Sequence, residues 1–168
     1  MPSLKTPKRQ TTFFAANPLL DATNLKLLRL LSDNPRSSVK ALAADIAMSG
    51  PAVAERLQRL YDANIITGQR LEIDPKQLGL HVTAYVRVRP MPGALPQVAA
   101  LAQTTPEVVE CHRVTGEDCF IMKVLVARIE DLEAVLDEFL TLGNTTSSIV
   151  QSTPVALRAA PLPVRAAA

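Results

Sequence analysis

The sequence predicts an α+β chain of two small domains, an N-terminal winged helix-turn-helix and a C-terminal ferredoxin-like βαββαβ unit. Three observations carry this expectation. Two apolar sets at helical spacing, Val39-Leu42-Ala43-Ile46 and Val53-Leu57-Leu60-Tyr61, flank the short break Ala47-Met48-Ser49-Gly50-Pro51. Asp74-Pro75 and Gly79 then interrupt all periodicity. Beyond them, apolar periods of two and of 3.6 alternate in the order strand, helix, strand, strand, helix, strand.

Residues 1–18 read as a flexible basic tail, with Lys5, Lys8 and Arg9 free to brush a nucleic-acid backbone. Asp21 is a good N-cap for a first helix whose buried face is Leu25, Leu28 and Leu31, and Asp33-Asn34-Pro35 ends that helix. Ser38 and Ser49 can cap the next two helices, and Pro51 fits a first turn because its missing N–H is no loss there. Residues 65–71 read as strand, turn, strand, a small wing with Arg70 near its tip or edge. The first domain is thus 19–71, and 72–79 form a hinge.

The second domain spans 80–157. Residues 81–89 alternate, with Val82, Ala84, Val86 and Val88 on one face and Thr83, Tyr85 and Arg87 on the other. A helix follows over 95–103. Strands are expected over 108–114 and 119–127, joined by the turn Thr115-Gly116-Glu117-Asp118. A helix over 129–142 turns Leu132, Val135, Leu136 and Phe139 inward, and a last strand runs over 147–157. Residues 158–168, rich in Ala and Pro, read as a disordered tail.

Composition narrows the function. Eighteen basic against sixteen acidic residues exclude a general nucleic-acid coat. Residues 1–75 nevertheless carry ten Lys/Arg against seven Asp/Glu, while 76–168 carry eight against nine, so the excess lies on the helix-turn-helix half. Four Phe and two Tyr are too few for a single-strand binder built on stacked aromatics. No apolar run is long enough to span a membrane, and the first twenty residues lack a signal-peptide core, which points to the cytoplasm. His81 and His112 stand apart from any nucleophile pattern, and neither a phosphate-binding glycine loop nor a metal-ligand spacing occurs, so neither an enzyme nor a cofactor is expected.

The third helix of the first domain, residues 50–63, has a face left over. With Val53, Leu57 and Leu60 inward, Ala52, Glu55, Arg59 and Asp62 point outward and Arg56 lies on the flank. Small residues first and arginines one or two turns later suit a helix entering the DNA major groove N-terminus first. An ordinary solvated bundle face would look similar.

An ordered series of residues resolves that ambiguity. Leu20-Asp21, Leu28, Leu31, Arg36, Ser38, Leu42-Ala43, Ser49, Val53, Arg56, Leu60, Ile66, Asp74-Pro75 and Leu78-Gly79 stand where the leucine-responsive/asparagine regulator (Lrp/AsnC) family has its pattern. The match continues through Glu107-Val108, Cys111, Val114-Thr115-Gly116 and Lys123-Val124. The chain resembles that family over roughly 19–157. Departures are Asn24 and Ala41, both read as helix-surface changes, where the family often has Asp and Glu.

The resemblance implies a sequence-specific transcriptional regulator with double-stranded DNA, an amino-acid effector and further copies of itself as partners. DNA-binding candidates are Arg36, Ser38, Ser49, Pro51, Ala52, Glu55, Arg56, Arg59 and Arg70. Arg59 is the base reader, Arg56 a phosphate or supporting contact, and the two serines cap helices whose N-termini face phosphates. The effector turn is Gly116, Glu117, Asp118 and Cys119, with Thr145, Thr146 and Ser147 nearby. Glycine there lets backbone N–H groups approach a carboxylate, and Glu117 or Asp118 can hold an ammonium. Cys119, however, stands where the family usually has its ammonium-binding aspartate. A plain hairpin turn at 116–119 and a helix stop before a strand at 143–148 are the alternatives for these stretches.

Assembly is expected on physical grounds as well. A domain of about 75 residues buries a modest fraction of its surface, and two helices leave the other sheet face bare for a partner's sheet. A dimer gives two half-sites, and the family resemblance extends this to octamers. Register around Gly116-Glu117 pairs Val114 with Cys119 and Cys111 with Met122, too far apart for a disulfide, so buried or half-buried thiols are expected. The rival reading is a ligand-binding or assembly module with constitutive DNA binding or none.

Overall fold

The computed structural model describes residues 17–163. The chain divides into two compact units, one up to Leu71 with the segment from Leu157 on, the other Glu72–Ala156. The expected contacts of Lys5, Lys8 and Arg9 lie outside the described residues.

The first unit holds three helices, α1 (Ala22–Asp33), α2 (Val39–Ile46) and α3 (Gly50–Asp62). Each begins at an oxygen-bearing cap. Asp21 accepts from the Asn24 N–H at 2.7 Å, Ser38 from Ala41 at 3.2 Å and Ser49 from Ala52 at 3.4 Å. Leu27, Leu42, Ala43 and Val53 form the core, with Leu30, Leu31, Ile46, Met48 and Leu57 packed around it. Leu27 is fully buried although the leucine spacing singled out Leu25, Leu28 and Leu31. Val39 and Tyr61, expected inside, are each 38% exposed; Val39 is the first residue of α2 and Tyr61 lies at the end of α3.

The turn between α2 and α3 does not use its glycine. Gly50 is the first residue of α3, and Ala47 takes the left-handed conformation at φ 55°. Met48 N–H reaches Ala43 O at 3.0 Å and Ala47 N–H reaches Ala44 O at 3.3 Å, a Schellman closure with alanine where glycine is usual. Lys26 Nζ takes the Asp45 carbonyl at 2.6 Å.

The expected wing is not built as strand, turn, strand. Residues 65–74 form no strand, and Arg70 lies exposed within them. Two strands of about three residues have no third strand to pair with among the described residues of this unit, and isolated ribbons that short are unstable in water. Asp74 caps a short 3₁₀ helix, Pro75–Leu78, which Gly79 ends at φ 82°.

The second unit runs β1 (Val82–Pro90), α4 (Leu95–Thr104), β2 (Val108–Arg113), β3 (Phe120–Val126), α5 (Ile129–Leu140) and β4 (Gly143–Ile149). The sheet is antiparallel in the order β2-β3-β1-β4. Ala84, Val86, Val88, Phe120, Met122, Val124 and Val126 form one face. Val98 and Ala102 of α4 and Leu132, Val135 and Phe139 of α5 bury it. The opposite face carries Tyr85, Arg87 and Lys123, without cover from this unit's helices. Residues 158–163 contain neither helix nor strand.

The last strand differs from expectation at both ends, starting at Gly143 and stopping at Ile149 rather than spanning 147–157. Gly143-Asn144 has the composition of a turn, but Gly143 is there for space. A Cβ on it would lie 2.2 Å from Arg89 O. The β2–β3 register is as expected, with Cys111 opposite Met122 and Val114 N–H donating to Cys119 O at 2.8 Å. Both cysteines are free thiols. Cys119 is half-buried, whereas Cys111 is exposed because β2 is an edge strand.

Candidate nucleic-acid interface and effector turn

In the first unit, the caps that start α2 and α3 also fix what their N-termini present. Ser38, Ser49 and Pro51 are exposed, and Ala52 is half-buried. Arg36 lies in the α1–α2 connection, where its N–H donates to Asn34 Oδ1 at 3.2 Å. One turn into α3, the exposed Glu55 and Arg59 form an i,i+4 ion pair. Arg59 is thus displayed on the outward face with a carboxylate already on its guanidinium.

Arg56 is turned inward. Its Nη1 donates to Asp21 Oδ2 at 2.8 Å and to Asn24 Oδ1 at 3.0 Å. Of the two roles expected for it, this geometry is the supporting one, tying α3 to the start of α1. Asn24 is no surface residue either, being only 3% exposed, with its Nδ2 donating to Leu19 O at 2.7 Å. Asparagine can accept from an arginine and donate to a carbonyl at once, and an ionised aspartate cannot donate. That makes Asn24 part of the scaffold under α3. Helical periodicity could not reveal it, because a polar residue is normally assigned to the solvent side. Ala41 is exposed, as expected.

Asp21 links this network to pH. Partial burial works against its charged form, but the Asn24 N–H and the Arg56 guanidinium outweigh it and hold the carboxyl below its ordinary range. A carboxyl depressed on folding contributes stability above its unfolded value and loses it as pH falls through the folded value. Unfolding in urea followed by helical circular dichroism should therefore show a midpoint that falls from about pH 4 downward. Asp21→Asn keeps a capping oxygen but removes the charge, so this part of the acid dependence should disappear. An identical pH profile in the variant would refute the assignment.

In the second unit, the fold brings together two stretches that are distant in sequence. The β2–β3 turn contains Gly116 at φ 117°, a conformation suited to glycine. Its acidic residues reach β1. Glu117 Oε2 lies 2.9 Å from Arg89 Nη1, and Asp118 Oδ2 lies 3.5 Å from Arg87 Nη1. On the other side of β1, Thr146 stands opposite Arg87 and Asn144 opposite Arg89. Thr145 and Ser147 pair with Val88 and Val86, on the helix-covered side. Of the three β4 candidates, then, only Thr146 shares the open face with the arginines.

Arg87 and Arg89 were not among the expected site residues. The alternation along β1 had placed Arg87 on the outer face, but that two turn carboxylates would come to these arginines is a tertiary fact. Cys119 Sγ lies 3.6 Å from Gly116 O and 3.7 Å from Glu117 O, so its thiol faces the turn's own carbonyls. On the edge strand, His112 and Glu110 lie 2.7 Å apart, and no group of three metal-ligating side chains occurs among the described residues. No helix among them is long and apolar enough to cross a membrane.

Comparison with known proteins matches both units. The AsnC-type helix-turn-helix domain model matches residues 20–61, and the Lrp/AsnC ligand binding domain model matches residues 83–160. The uncharacterized HTH-type transcriptional regulator YezC of Bacillus subtilis is 33% identical over 133 residues, covering 79% of this chain and 94% of that protein. The regulatory protein AsnC of Escherichia coli is 30% identical over 125 residues, 71% of this chain and 80% of that one. Among solved structures, a transcriptional regulator of Neisseria meningitidis in complex with L-methionine superposes with a TM-score of 0.79 at 26% identity, covering 85% of this chain and 97% of the other. With both of its domains matched in order, the chain belongs to the Lrp/AsnC family of helix-turn-helix transcriptional regulators.

Proposed function

We propose that the chain binds duplex DNA through the outward face of α3, as a dimer or larger assembly, and that an amino acid bound at the β2–β3 turn modulates it. The observation that carries the DNA reading is the division of labour on α3. Arg56 is committed to the scaffold, which fixes the helix, while Ser49, Pro51, Ala52, Glu55 and Arg59 remain on the side left to a partner. Arg36, Ser38 and Arg70 are exposed and supply the positions from which phosphates are reached. Arg59 reads a base, and it must leave Glu55 to do so.

Arg59→Ala should relax sequence preference and weaken operator binding by about 1–3 kcal/mol, measured by fluorescence anisotropy on the duplex upstream of the chain's own gene. Equal weakening on every duplex would assign Arg59 to the backbone instead.

Assembly rests on the sheet face that α4 and α5 leave open, with exposed Tyr85 at its centre. Two such faces stacked together make a dimer, which carries two copies of α3 for the two half-sites of a palindrome. The effector reading rests on the L-methionine held by the Neisseria relative and on the convergence of Glu117, Asp118 and Thr146 at one end of that face. Ligand acts by binding one assembly more tightly than another. Cys119 favours a second reading, constitutive DNA binding, because it removes the family's usual ammonium anchor. Anisotropy titrations with each amino acid in turn separate the two.

A further inference from the structure

We propose that Arg87 and Asp118 are the specificity-determining residues of the effector turn, and that a zwitterionic amino acid enters by splitting their ion pair. Its carboxylate goes to Arg87 and its ammonium to Asp118, while Arg89 and Glu117 keep the turn in place. This rests on the amino-acid reading above.

Three features of the site lead here. The Cys119 thiol is directed at the carbonyls of Gly116 and Glu117, and the residue offers no carboxylate for an ammonium. The charges at this end come instead in two opposed pairs, Arg87–Asp118 and Arg89–Glu117. Adding a lone anion or a lone cation to such a quartet leaves one charge unmatched. A molecule with one charge of each sign replaces one pair by two and keeps every charge matched.

Geometry selects which pair opens. Neither pair is hydrogen-bonded, but Arg89 and Glu117 are at 2.9 Å and Arg87 and Asp118 at 3.5 Å. In a single protomer both pairs are solvent-accessible, and such ion pairs of poor geometry contribute little, so the longer one opens at small cost. Thr146, opposite Arg87 on β4, adds a hydroxyl on the same face. Arg87 presents a planar guanidinium, which binds a carboxylate with two parallel hydrogen bonds once Asp118 moves aside.

The test is isothermal titration calorimetry on the full-length chain. Each of the twenty amino acids is titrated into the wild type. The one that binds is then compared with two analogues, one lacking the carboxylate and one lacking the amino group. Arg87→Gln should weaken the amino acid by about ten- to a hundredfold, as loss of a charge-assisted hydrogen bond does, yet strengthen the amine analogue, which then meets an unpaired Asp118. Asp118→Asn should do the converse, weakening the amino acid but not the deaminated acid. If an amino acid binds and both charge variants retain wild-type affinity, the Arg87–Asp118 assignment is overturned and the amino-acid reading stands. If no amino acid binds the wild type, the amino-acid reading itself falls, and this inference with it.

Discussion

Replacing Gly143 with alanine should lower the stability of the second unit by about 3 kcal/mol or more, the upper end of what overpacking a core costs. The added Cβ would sit 2.2 Å from Arg89 O, 2.7 Å from Pro90 Cα and 2.9 Å from Arg89 C. All three atoms are backbone of β1, so no side chain can rotate away. Relief requires β4 to pull back from Pro90, its register partner, where Met91 N–H also holds Leu142 O at 2.9 Å. Urea unfolding by circular dichroism measures the loss, and a midpoint equal to the wild type would show that the strand shifts freely. The same retreat would carry Asn144 and Thr146 away from Arg89 and Arg87, so effector binding should weaken as well.

The second large effect is expected at Phe139. It is fully buried on α5 and packs into the cluster formed by Val86, Val88, Met122 and Val124. Truncation to alanine removes a ring and leaves a cavity, at about 3–5 kcal/mol. Domains of this size have roughly 5–10 kcal/mol in all, so Phe139→Ala should leave the unit marginal or unfolded near body temperature. Phe139→Leu keeps most of the volume and should cost markedly less. Thermal melts of the two variants give the comparison, and similar melting temperatures would mean that α5 is not the lid of this core.

Much of the fold was legible because local rules and tertiary needs agree. Asp21, Ser38 and Ser49 cap helices wherever they occur, and the alternation of Val82, Ala84, Val86 and Val88 has only one buried side. Failures fall where one residue type serves two purposes. Gly143 and Asn144 look like a turn from sequence, but the glycine is required by the approach of β1. The apolar pair Ile65-Ile66 followed by a glycine looks like a hairpin, but no strand among the described residues of its own unit completes the ribbon. Arg56 and Arg59 have the same composition and similar spacing. Only Asp21 and Asn24, at the start of another helix, separate the half-buried brace Arg56 from the exposed Arg59. The effector turn was legible as a turn, while its link to Arg87 and Arg89 depends on a pairing across β3.

The strand order β2-β3-β1-β4 also sets a schedule. The three helices of the first unit are joined by short connections and close a core among near neighbours, the kind of topology that folds fast. The sheet must instead unite Ala84 with Ile149 and Val86 with Ser147, contacts that span most of the second unit's length. As the chain leaves the ribosome, β1 can pair on its β3 side well before β4 exists. Until Gly143–Ile149 emerges, β1 offers a bare row of amide and carbonyl groups, flanked by the valines of an uncovered core. The nascent protein is therefore most exposed to misassociation late in its synthesis, after the three helices of its first unit are complete.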